Sequence, residues 1–114
     1  MRQIIENTYN KIIELSDLSL QRKIWLNENN DTGLISSFAE LMCSLFDDFN
    51  FDDFIDNRAS KMNLSDSAIF ELNKLRELLN IYDEKDSDED IINDPEWQKI
   101  VNQAKLVLKE WNMT

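Results

Sequence analysis

Apolar residues return every three or four positions through most of the chain, a period that predicts helices rather than strands. A first helix is predicted over Arg2–Leu15, with Ile5, Thr8, Tyr9, Ile12 and Ile13 on one stripe. Ser16 and Asp17 supply cap chemistry for a second over Leu18–Glu28, which carries Leu20, Ile24 and Trp25. The stretch "NENNDTG" then breaks the pattern, because Asn, Asp and Gly accept left-handed backbone. A third helix over Leu34–Phe46 is the most apolar, with Leu34, Ile35, Phe38, Leu41, Met42, Leu45 and Phe46 on a broad face. A short helix follows around Phe51–Asn57. Asn63 or Ser65 then caps a helix reaching Tyr82, with Ala68, Leu72, Leu75, Leu79 and Tyr82 inward. Residues 83–93 read as a charged loop. "NDPEW" is the clearest start signal: Asp94 as cap, Pro95 at the first helical position, and Glu96 at the positive end of the helix dipole. The last helix runs to Trp111 with Trp97, Ile100, Val101, Ala104, Leu108 and Trp111 aligned, and Lys105 and Lys109 suit its negative end.

The expectation is an all-α, compact single-domain bundle of five or six helices spanning residues 1–114. Composition supports it: one glycine and one proline leave little turn chemistry for hairpins, and 42% apolar residues argue against disorder. A chain of 114 residues is long enough to bury a real core. One cysteine, Cys43, rules out an intramolecular disulfide. The opening "MRQIIENTYNKIIEL" has no continuous apolar run, whereas a membrane span needs about 20 such residues. The expected location is cytoplasmic, away from membranes.

Charge changes the picture more than composition does. The net charge is −11, from 23 acids and 12 bases, and its distribution is uneven. Residues 47–56 hold five acids and no base; residues 83–94 hold seven acids against Lys85. Elsewhere eleven acids and eleven bases cancel, so the whole imbalance sits in two short stretches. Such a chain is not expected to bind nucleic acid, which is held by basic residues that displace counterions from phosphate. Anionic membranes are disfavoured for the same reason. A basic protein partner fits, since a concentrated field accelerates encounter with an opposite one.

The chain has no histidine, so histidine acid–base catalysis and Ser-His-Asp or Cys-His arrangements are impossible. One glycine makes neither a P-loop nor a dinucleotide fingerprint. No enzyme activity and no cofactor are expected. Two frames resemble the start of a calcium-binding EF-hand loop. In the first, Asp48, Asn50 and Asp52 fall at positions 1, 3 and 5, but Asp53 stands where glycine must turn the loop and Ala59 where glutamate must ligate. The second starts at Asp86 and fails at the same places, with Ile91 and Trp97. Only an irregular, weak cation site survives this test.

The candidate partner-binding residues are therefore Asp47, Asp48, Asp52, Asp53 and Asp56, with Phe51 among them, and Asp83, Glu84, Asp86, Asp88, Glu89 and Asp90. The simpler reading of Phe46, Phe49, Phe51 and Phe54 is packing beneath a bent segment. Cys43 reads as a buried small hydrophobe, and Trp25, Trp97 and Trp111 as core.

The stretch "QRKIWLNENNDTGLISSFAELMCSLFDDFNFDDFID", with the polar spacer and helical segments after it, resembles helical immunity proteins of bacterial contact-dependent growth inhibition systems over residues 18–82. The resemblance implies a protein that binds one cognate toxin domain, a nuclease and foremost an RNase, and neutralises it in the cell that makes it. Acidic side chains would then face the basic groove that the nuclease offers to nucleic acid, with nearby aromatics adding short-range affinity. Two other readings fit the same charge: an acidic nucleic-acid mimic that regulates a nucleic-acid-binding protein, and a weak divalent-cation binder.

Overall fold

A computed structural model describes residues 2–111, whose regular secondary structure is entirely helical, with no strand among them. The helices are α1 (Arg2–Leu15), α2 (Leu18–Trp25), α3 (Phe38–Met42), α4 (Phe51–Asp53), α5 (Asp66–Ile81), α6 (Asp88–Ile92) and α7 (Pro95–Glu110). α3 and α4 each continue into a π-helical segment, Cys43–Asp48 and Phe54–Arg58. In these wide turns each N–H reaches back five residues: Phe49 N–H donates to the Ser44 carbonyl and Ala59 N–H to that of Phe54. Asn50 stands between the two runs in left-handed backbone, φ 46°, and breaks what would otherwise be one helix.

Side-chain caps start five of the helices, each contributing about 1 kcal/mol. Asp17, Ser37, Ser65, Ser87 and Asp94 accept from the N–H groups of Leu20, Glu40, Ala68, Asp90 and Glu96. α7 is the hub: it packs chiefly on α5, then on α1, and also meets α6, while α2 bridges α1 and α6. The Cα radius of gyration is 13.8 Å, against about 13 Å for one compact domain of this length.

The core centres on Trp97, which is fully buried. Its ring lies 6.0 Å from Trp25, 5.4 Å from Phe38 and 5.3 Å from Tyr82, tilted or edge-on to each. Its indole N–H donates to Gln21 Oε1 at 2.9 Å. Buried Gln21 in turn donates to the carbonyls of Glu14 and Leu15 at 2.9 and 3.1 Å, tying the end of α1 to α7. The Trp25 indole donates to the carboxylate of buried Glu14 at 2.9 Å. At the other end of the molecule Trp111 stacks on Phe54 at 5.7 Å and meets Tyr9 edge-on.

Three expectations need correction. α2 stops at Trp25 rather than Glu28, because Asn27 and Asn29 take left-handed backbone. α3 begins at Phe38 rather than Leu34: the Ser37 hydroxyl accepts from the Glu40 N–H and caps the helix there, and Leu34 and Ile35 lie outside it, 59% and 78% exposed. The charged segment is not all loop, since Ser87 caps α6 within it and buries Ile91 and Ile92. That helix and the break at Asn50 take the count to seven among the described residues, above the five or six expected.

Candidate partner-binding face

Three of the five acids of the first stretch are paired with arginines that lie outside it. Arg76 of α5 reaches Asp52 at 3.3 Å and Asp56 at 2.9 Å, and also donates to Asn73. The hydrogen bond to Asp56 chiefly, with Asp52 adding to it, holds the guanidinium more firmly protonated than usual. Arg58 donates to Asp53 at 2.8 Å and Asn57 donates to its other oxygen at 2.8 Å. The Arg58 bond first, then that of Asn57, keeps the Asp53 carboxyl below its ordinary range. Asp47 and Asp48 are exposed, with no hydrogen-bond or ion-pair partner among the described residues. Phe51 is not available as a partner anchor. It is fully buried and meets Phe46 edge-on at 5.5 Å, as core packing beneath the bent segment requires. Phe54 is likewise fully buried.

Cys43 is exposed rather than buried. It lies two residues beyond inward-facing Leu41, about 200° around the helix, and so emerges on the far side.

The second acidic stretch is arranged differently. Asp88 is half-buried and accepts from the Phe38 N–H at 3.4 Å, supporting the first turn of α3 from outside it. Asp94 caps α7 and accepts the Tyr82 hydroxyl at 2.8 Å. That hydrogen bond, more than any other effect, lowers the Asp94 carboxyl below its ordinary range. Burial, reinforced by Asp94, raises the Tyr82 phenol well above its own. Asp83, Glu84, Asp86, Glu89 and Asp90 are exposed, and Asp83 has only a 3.9 Å approach from Lys85.

Asp83, Glu84, Asp86, Asp90 and Asp94, with Lys85, line an open acidic basin of about 500 Å³. It adjoins a smaller cleft of about 160 Å³ between the end of α5 and the start of α7, sharing Asp83, Lys85 and Asp94. Leu78, Ile81, Tyr82 and Ile100 give that cleft an apolar floor, and Glu96 and Lys99 edge it. Ile81 is 77% exposed. Of the expected residues, Asp83, Glu84, Asp86 and Asp90 are brought together; Asp88 is turned inward, and Glu89 lies outside the basin wall.

Sequence reasoning missed the apolar half of this face. Ile81 carried a signal, being an apolar residue off the inward stripe of α5 and immediately before the acidic run. The pairing of Asp94 with Tyr82 carried none, because Asp94 was already explained as a cap.

Among the described residues no group of three or more His, Cys, Asp or Glu is placed to hold a metal ion. The first EF-hand frame is occupied by α4 and its π continuation, and the second contains α6, so neither is a ligand loop. No helix among the described residues is long and apolar enough to cross a membrane.

By fold and surface the molecule is an all-α domain bearing an acidic basin beside an exposed apolar cleft. No family model, curated protein or solved structure matches the chain.

Proposed function

We propose that the chain is an immunity protein that binds a basic toxin domain, a nuclease and foremost an RNase, through the acidic basin at residues 83–90 and the apolar cleft beside it. One observation carries this reading. The acids of residues 47–56 are mostly paired to Arg58 and Arg76, whereas Asp83, Glu84, Asp86 and Asp90 converge on an open basin next to exposed Ile81. Exposed like charges repel one another, so their convergence suits a partner that supplies the opposite charge. Charge steers the encounter and the apolar surface then slows dissociation.

The test is protection. The protein encoded immediately upstream is tested for toxicity by expressing it with and without this chain and following growth, and a neighbour that is not toxic counts against the reading. Rescue is expected, and it should fail when Asp83, Glu84 and Asp86 are all changed to Lys in a chain that still folds. Association measured with purified proteins should slow in that variant and in high salt. Toxicity unaffected by the wild-type chain overturns the immunity reading. Competition with nucleic acid for several unrelated basic proteins would replace it with nucleic-acid mimicry. Rescue that survives the triple change but not Asp47→Lys with Asp48→Lys moves the interface to the first stretch.

A further inference from the structure

The cleft between α5 and α7 already holds a cation, the chain's own. Lys85 Nζ lies 3.9 Å from Asp83 Oδ2 and 3.9 Å from Asp94 Oδ2. Both distances are too long for hydrogen bonds, so the ammonium sits between two carboxylates without engaging either closely. Asp83 is 94% exposed and does not grip it. Beneath this position lie Leu78, Ile81, Tyr82 and Ile100, with most of Ile81 open to solvent. The volume, about 160 Å³, is below the roughly 300 Å³ at which small-molecule pockets begin. It suits one side chain. A long cationic side chain matches both halves, with its methylenes on the apolar floor and its charge at the carboxylates.

We infer that this cleft receives one arginine side chain of the protein partner, which displaces Lys85 from between Asp83 and Asp94. Arginine is favoured over lysine because its planar fork can reach two carboxylates at once and can lie against the Tyr82 ring. The inference rests on the functional reading above, and it makes Lys85 a competitor rather than a contributor. Removing the Lys85 charge should therefore strengthen binding, although lysine is the kind of surface residue whose loss is usually neutral.

The experiment is a titration of the ¹⁵N-labelled full chain with N-acetyl-arginine amide, followed by amide chemical shifts. N-acetyl-citrulline amide serves as the uncharged control. Saturable shifts are expected at Ile81–Asp86 and at the first turns of α7, much weaker with citrulline. Lys85→Gln should tighten binding about two- to fivefold, the scale of one exposed ion pair. Asp83→Asn should loosen it by a similar factor. Both positions are exposed, and circular dichroism confirms an unchanged fold before titration. Equal or weaker binding by Lys85→Gln overturns the inference. So do non-saturating shifts spread over both acidic stretches, or a response to citrulline equal to that for arginine. The protection assay separates the two levels. Arginine binding by a chain that protects no cell refutes the toxin reading alone, and protection by a chain whose cleft ignores arginine refutes the cleft alone.

Discussion

Replacing Gln21 by Leu tests whether a single buried amide holds the cleft wall in place. The side chain is fully buried between α1 and α7, and its three hydrogen bonds run to the Trp97 indole and to the carbonyls of Glu14 and Leu15. Glu14 retains a second, longer bond from the Asp17 N–H at 3.4 Å. Two groups are then left without a partner: the Trp97 N–H and the Leu15 carbonyl. Each unsatisfied buried group costs about 1–3 kcal/mol. The added apolar burial of leucine offsets about 1 kcal/mol of this. The net loss should be about 3 kcal/mol, a large share of the roughly 5–15 kcal/mol that stabilises a domain. For a chain of this size it lowers Tm by about 10–15 °C. Urea unfolding monitored by tryptophan fluorescence and far-ultraviolet circular dichroism measures it. A cycle with Trp97→Phe isolates the indole bond, with an expected coupling of about 1–2 kcal/mol. A total loss below about 1 kcal/mol would refute the reasoning, since water or local repacking would then be satisfying those groups. Trp97 lies against Tyr82, which lines the cleft, so the same variant should also blur arginine binding there.

Thr8 is fully buried with no hydrogen-bond partner for its hydroxyl, so Thr8→Val should raise stability by about 1 kcal/mol, read as a higher urea midpoint at unchanged slope. Arg76→Gln should leave Asp52 and Asp56 facing each other unpaired, lowering Tm by a few degrees and making the loss smaller in high salt; a salt-independent loss would assign Arg76 a packing role instead. Asp31, Asp53 and Asp94 all titrate below the ordinary carboxylate value of 3.8 in the folded chain. Their contribution is fully present above that value and is lost as pH falls through their lower folded values, so unfolding monitored by circular dichroism should ease steadily below about pH 4. Tyr82→Phe should shift the Asp94 titration, followed by carboxyl ¹³C resonances, upward toward 3.8; an unmoved titration would show that the hydroxyl is not what lowers it.

Helix identity was legible wherever cap chemistry and period agreed. Asp17, Ser65 and the Asp94–Pro95 pair marked starts that the fold uses, and the tryptophans at helical spacing are the core. The errors share a physical origin. Leu34 and Ile35 fit the period of α3, but period does not say where a helix begins, and the Ser37 cap did. The same chemistry at Ser87 was hidden inside a run of acids that read as solvated loop. The site was half legible. Counting charge located both acidic stretches, but ion pairs between Arg76 and residues twenty or more positions earlier leave no trace in a linear count. Net charge is local in sequence, whereas neutralisation is local in space.

The two π-helical segments flanking Asn50 also bear on how this chain can change length. A π turn closes over one residue more than an α turn needs, so each segment accommodates an extra residue without losing the helix around it. Deleting one residue from Cys43–Asp48 should therefore draw that turn into ordinary α geometry instead of unravelling it. Asp47 and Asp48 would be rotated about the axis by roughly a quarter of a turn or more. The surface at this end of the molecule could thus be re-aimed in single-residue steps while the buried aromatics beneath it stay seated. Such a joint makes the outline of one face adjustable independently of the stability of the core.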